Sequence, residues 1–246
     1  QRDDRDSTMK GSESQNELNA DLLVYGGTEA GIFTAVQAAR SGLRAILVSE
    51  SDYLFGFFPS LGAWETHYPG CRSPLSWEFR ARIIDYYRQN YGEKSAHFRD
   101  CTRLEKNNPM LTFEPHVAES VLSELLNSET SLQVLAPCHL LQAKCVDGRI
   151  ERITCRYEDR HIQIAAQVFA DCSYTGDLAA RAAAQYAIGR ESRSAYSEPH
   201  AGKIFTRWRQ GQFPRSSLNG KLNLLPTWST TEPEEGSTGA GDDCIQ

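Results

Sequence analysis

The sequence has no apolar run long enough to cross a bilayer as a helix, and no signal-like hydrophobic stretch near its first residue. That excludes a membrane-spanning helix as its organising element. It also lacks a basic excess: 26 Lys and Arg stand against 32 Asp and Glu, a net charge of −6. Nucleic acid as a main partner would need a cationic face, and no basic run supplies one. The seven cysteines (Cys71, Cys101, Cys138, Cys145, Cys155, Cys172 and Cys244) are odd in number and form no C-x-x-C pair. Neither a zinc cluster nor a disulfide framework is encoded, and isolated thiols favour a reducing, cytoplasmic setting without fixing it. The rest is an ordinary globular composition, enough for one large domain or two small ones in 246 residues.

Two distant segments share a design. Leu22-Leu-Val-Tyr25 is a short apolar run that breaks into Gly26-Gly-Thr-Glu-Ala-Gly31 and opens an amphipathic helix to about Arg40. Val168-Phe-Ala-Asp171 does the same through Cys172-Ser-Tyr-Thr-Gly-Asp177. In the first, Gly26 and Gly27 permit a tight turn, and Gly31 lets the helix pack close to the strand. The helix N-terminus then offers unpaired N–H groups to a pyrophosphate. Ala45–Val48 completes a β-α-β unit, and Glu50 is the nearest carboxylate for a ribose hydroxyl. Thr28 stands where the G-x-G-x-x-G fingerprint has its second glycine; its hydroxyl is a candidate donor to a phosphate.

Between the two turns, Tyr53–Pro74 reads as a long loop rich in aromatics and glycine. Loops of that length usually have a role in a site. Helical spacing returns over Pro74–Tyr91, with Gly92 as the stop, and over the segment Phe113–Leu126, with Pro115 near its first turn. Glu93–Pro109 is polar and reads as loop. Leu132–Leu135 reads as a buried strand. Leu140–Cys145, Arg149–Tyr157 and His161–Ala166 form an antiparallel meander, followed by a separate return strand at Val168–Asp171.

This order, with its Gly-Gly-Thr-x-Ala-Gly turn, resembles the FAD-dependent oxidoreductase family, flavoproteins of the glutathione-reductase type. Phe113-Glu-Pro-His-Val-Ala-Glu119, Asp171–Leu178, Ile188-Gly-Arg-Glu-Ser192, Tyr196–Gly202 and Gly239–Asp243 carry the same resemblance. It implies an α/β fold: a Rossmann-like FAD-binding parallel sheet with helices on its faces and an inserted three-stranded antiparallel β-meander. It also implies FAD and an enzyme that passes hydride between flavin and an organic small molecule. The family's acid after the second strand is displaced here, with Ser49 in its register, and Leu54-Phe55-Gly56 replaces a glycine pair. Relatives are longer, so the chain reads as an N-terminal portion that need not be active alone. Residues 1–20 read as a disordered tail, with Met9 a candidate start. Residues 21–205 read as the FAD-binding domain (meander 139–166), and 206–246 as the loop-rich start of a substrate domain.

The candidate cofactor contacts are Gly26, Gly27, Thr28, Ala30, Gly31, Ser49, Glu50, Gly56, Leu141 (through its backbone, toward adenine) and Asp171. Asp177 is the expected cap of the helix that follows. Substrate oxidation at a flavin needs a base for the proton, for which His67 and His200 are the candidates, and Arg72 is placed to bind a substrate acid. No metal ligand set is expected. Two alternatives stand beside this reading: a cofactor-free remnant of the fold, and an NAD-dependent dehydrogenase. Substrate, electron acceptor and oligomeric state stay open.

Overall fold

The computed structural model describes residues 17–64, 73–102, 111–186, 196–197, 207–208 and 211–212. In chain order these form β1 (Glu17–Tyr25), α1 (Glu29–Arg40), β2 (Ala45–Val48), β3 (Ala63–Trp64), α2 (Pro74–Tyr91), α3 (Ala96–Thr102) and β4 (Leu111–Thr112). There follow α4 (Pro115–Asn127), β5 (Leu132–Leu135), β6 (Cys138–Val146), β7 (Arg149–Tyr157), β8 (Arg160–Asp171), α5 (Asp177–Arg181), β9 (Arg207–Trp208) and β10 (Gly211–Gln212). The chain divides into two units, Gln1–Ala184 and Gln185–Gln246. In the second, the described strands are the short antiparallel pair β9 and β10.

The first unit is built on one six-stranded sheet of order β5-β2-β1-β8-β7-β6. β5, β2, β1 and β8 run parallel. β8, β7 and β6 run antiparallel. All four residues of β2 are buried, as a central parallel strand covered on both faces requires. The two faces follow from strand alternation. Val24 and Leu47 join Ile32, Val36, Phe79, Ile83, Val121 and Leu125 in a core under α1, α2 and α4. Leu23, Tyr25, Ile46 and Val48 point the other way, into a second core with Ile153, Cys155, Ile162, Ile164 and Leu178. Residues of the meander strands and α5 thus share the core on one face of β1 and β2, and the three longer helices supply the core on the other.

Several elements differ from the sequence reading. β1 begins at Glu17, inside the expected tail. The meander's third strand and the return strand are one strand, β8, 12 residues long. Gln167, between those two expected strands, is exposed, and its side-chain amide donates to Asp21 Oδ1 at 3.2 Å. Residues Gln163–Ala165 are paired on both sides, to β1 and to β7, whereas the described partner of Ala166–Asp171 is β1. Part of the expected Glu93–Pro109 loop is helical, as α3. Ser95 Oγ accepts from the Phe98 N–H at 3.0 Å and starts that helix, while Cys101 buries its thiol. The long loop after β2 contains a 3-10 turn at Pro59–Leu61, and its β3 pairs with β4. Among the described residues, no helix is long and apolar enough to cross a membrane, and no group of three or more His, Cys, Asp or Glu is placed to hold a metal ion.

Candidate functional site

The C-terminal ends of β1, β2 and β8 converge, and the parallel ladder continues past them. Gly26 N–H donates to Val48 O at 2.8 Å, and Cys172 N–H donates to Tyr25 O at 2.7 Å. The turn after β1 is thus held between the ends of its two neighbours. A Cβ on Gly26, whose φ is +116°, would lie 2.6 Å from the Cys172–Ser173 backbone. One on Gly27 would meet Ser49 Oγ at 2.6 Å, and one on Gly31 would meet Gly26 O at 1.9 Å. These glycines are required by crowding within the protein itself, in addition to any ligand.

Thr28 is the N-cap of α1. Its Oγ1 accepts from Gly31 N–H at 3.2 Å and donates to Cys172 O at 2.8 Å. The residue is 6% exposed, so the hydroxyl clamps one turn to the other and is not turned out toward a phosphate. The next two amides differ. Glu29 follows the parallel bridge between Thr28 and Phe55, which turns its N–H toward the Phe55 carbonyl. The described residues supply no hydrogen-bond partner to the Ala30 N–H, and Ala30 is exposed. It is the open donor at the positive end of a 12-residue helix, a geometry suited to an anion.

At the end of β2, Ser49 is buried and donates its hydroxyl to Ser51 O at 3.0 Å. Glu50 is exposed, and one carboxylate oxygen accepts from the Tyr25 phenol at 2.7 Å. Burial, and then the bond to Glu50, push the Tyr25 phenol well above the usual tyrosine range, so it stays a donor. A polar acceptor is thereby held beside the open end of the sheet. Leu141 lies on β6 at a register irregularity between Leu140 and Gln142. Its side chain is half-exposed, and its carbonyl accepts from Arg181 Nη1 at 3.3 Å.

The turn after β8 behaves differently. Asp171 Oδ1 accepts from Ser173 N–H at 3.0 Å and from Ser173 Oγ at 2.6 Å. Its other oxygen accepts from Ala179 N–H at 2.8 Å, and Ser173 Oγ accepts from Asp177 N–H at 2.9 Å. Both Asp171 oxygens are therefore committed to the turn. Gly176 sits at the cap of α5 and Asp177 is its first residue, so the expected cap role of Asp177 falls to Asp171 and Ser173.

A third segment lies against both turns. Phe55 N–H donates to Gly27 O at 2.6 Å, and Phe55 holds φ at 84°. Gly56 follows with φ +60°, and a Cβ there would lie 2.0 Å from the Tyr174 phenol oxygen. That oxygen donates to Glu29 Oε2 at 2.7 Å and accepts from Phe57 N–H at 3.2 Å. The Phe57 and Tyr174 rings lie 4.8 Å apart. Burial, and then the Glu29 bond, raise the Tyr174 phenol above its ordinary value.

The structure thus gathers Gly26, Gly27, Thr28, Ala30, Gly31, Ser49, Glu50, Gly56 and Asp171 at one end of the sheet. His67, Arg72 and His200 lie outside the described residues. Sequence reading missed Tyr25, Glu29, Phe57, Ser173 and Tyr174. Tyr174 and Ser173 were visible inside the second motif, but nothing in a one-dimensional pattern shows that a phenol bridges to residue 29.

The sequence matches the family model described as FAD dependent oxidoreductase over residues 21–232. No curated protein sequence matches it. Similar solved structures include a geranylgeranyl bacteriochlorophyll reductase-like protein from Thermoplasma acidophilum. It is 11% identical, with 68% of this chain and 42% of that one covered and a TM-score of 0.46. Another is p-nitrophenol 4-monooxygenase from Pseudomonas putida DLL-E4, also 11% identical, with 78% and 52% covered and a TM-score of 0.46. The chain spans about half the length of each. Identities this low carry no information on substrate.

Proposed function

The chain belongs to the FAD dependent oxidoreductase family, and from that premise we propose that it binds FAD over the ends of β1, β2 and β8 and serves a redox reaction on an organic small molecule. The observation that carries this is the unclaimed, exposed amide of Ala30 at the start of α1, in a turn where Thr28 satisfies the next one. This amide and the Gly26–Gly31 backbone receive the pyrophosphate. Glu50, oriented by the Tyr25 phenol, accepts from the ribose. The Leu141 backbone borders the adenine, and Ser49 and Asp171 hold the flanking turns in place. Bound FAD supplies the capacity to take up or release hydride. The protein's part is to orient the substrate, exclude water and move the substrate proton. His67 and His200 are the assigned candidates for the proton, and Arg72 for a substrate acid.

The test is an absorbance spectrum of the purified chain after addition of FAD and removal of the excess. Retained bands near about 375 and 450 nm, as for any oxidised flavin, are the expected result. The Glu50→Gln variant should retain less FAD, by about tenfold in Kd, the scale of one charge-assisted hydrogen bond. A chain that folds, retains no flavin, and is unaffected at Glu50 overturns the proposal in favour of a cofactor-free role.

A further inference from the structure

Glu29 is out of place for a phosphate site. It puts a carboxylate on the first turn of α1, beside the Ala30 amide assigned to a pyrophosphate. A free carboxylate there would repel the phosphates and compete for the same helix end. The structure shows where the carboxylate goes instead. Its Oε2 accepts from the Tyr174 phenol, whose oxygen is itself fixed by the Phe57 N–H and seated over Gly56. Only a glycine at position 56 leaves room for that oxygen. The segment is further held by the bond from Phe55 N–H to Gly27 O, at the cost of a left-handed backbone on a phenylalanine. The Gly56–Phe57 backbone thus seats one phenol, and that phenol holds the Glu29 carboxylate.

We propose that Tyr174 is a positioning residue for the cofactor: it holds the Glu29 carboxylate against the Gly56–Phe57 segment and so keeps the N-terminal end of α1, with its free Ala30 amide, available to phosphate. The inference rests on the FAD reading. It assigns a role to the second motif other than direct contact: the turn after β8 conditions the charge at the turn after β1.

The test is a double-mutant cycle on the full chain with wild type, Tyr174→Phe, Glu29→Gln and the double variant. FAD affinity is read from flavin fluorescence at low and high salt. Tyr174→Phe should weaken binding about five- to tenfold at low ionic strength, the scale of one nearby like charge in a partly aqueous site. Most of that loss should return at about 1 M salt, where the screening length falls to about 3 Å. Glu29→Gln should bind at least as well as wild type, and the double variant should match it. An equal loss from Tyr174→Phe in both backgrounds, insensitive to salt, would make the phenol a simple support and overturn the proposal. Tighter or unchanged binding by Tyr174→Phe overturns it too. A cofactor-free readout accompanies the cycle: chymotrypsin should cut at Phe57–Phe58 faster in Tyr174→Phe than in wild type, with unfolding midpoints as a control. Equal cleavage means the clasp does not form, and the proposal fails. If wild type takes up no FAD, the parent reading fails and this one with it. The cleavage result still separates that outcome from a missing clasp.

Discussion

The turns after β1 and after β8 look alike in sequence, each an apolar strand running through glycine into a helix, yet they are built for opposite ends. The first leads into a 12-residue helix and leaves the Ala30 amide without a partner among the described residues. The second leads into a five-residue helix whose leading amides are claimed by Asp171 and Ser173. One turn keeps a helix amide unpartnered, and the other is closed on itself and buttresses the first through Cys172. A strand-Gly-helix pattern therefore reports a place in the sheet; the destination of the helix amides reports whether that place binds anything.

The comparison breaks most severely at Gly31. A methyl there meets the Gly26 backbone carbonyl at 1.9 Å, and a Cβ has no torsion by which to escape it. Gly31→Ala should cost about 3 kcal/mol or more, or prevent folding outright, in urea unfolding. Next comes Asp171→Ala. Three donors lose their acceptor, and the expected loss is about 2 kcal/mol of stability. Stability should fall whether or not FAD is present; a selective loss of FAD affinity with unchanged stability would show that the second turn binds ligand after all. The smallest effect is expected away from both turns. Arg40 bonds Glu78 and Glu129, and Arg82 bonds Glu78 at 2.8 Å, joining α1, α2 and the end of α4. The Arg40 guanidinium holds the Glu78 carboxyl below its ordinary 4.5. The unfolded chain therefore binds the proton first. The stabilisation is complete above about pH 4.5 and is lost as pH falls through the lowered native value. Glu78→Gln should cost at most about 0.5–1 kcal/mol near neutral pH, because the pair is partly solvated, and the difference should vanish in acid. FAD affinity should not change.

The sheet's parallel half was legible because a short apolar run flanked by glycine fits little besides a buried strand, and α2 ran from Pro74 to Tyr91 as its spacing predicted. The unity of β8 was hidden at Gln167, which lies between the two expected strands and whose partner Asp21 is distant in sequence. α3 was hidden because seven residues carry too little periodicity, with Cys101 buried and Phe98 packed against the core as its only apolar signal. At the site, glycine spacing predicted the first turn correctly, while the hydroxyl of Thr28 went to a carbonyl 144 residues away. Such pairings depend on which strands become neighbours, and local pattern does not contain that. Asp171 was read as a cofactor contact, and in the structure both of its carboxylate oxygens accept from the turn itself, from Ser173 and Ala179.

The clamp between Thr28 and Cys172 also sets an order in time. During synthesis at about 5–20 residues per second, roughly 7 to 30 s separate the appearance of these two residues. Over that interval β1 lacks its partner β8, and the turn that carries the open Ala30 amide has no Cys172 to rest on. Under the proposed FAD reading, the nascent chain carries a nearly complete β-α-β unit whose nucleotide site still lacks that support, and cofactor capture would follow the arrival of β8.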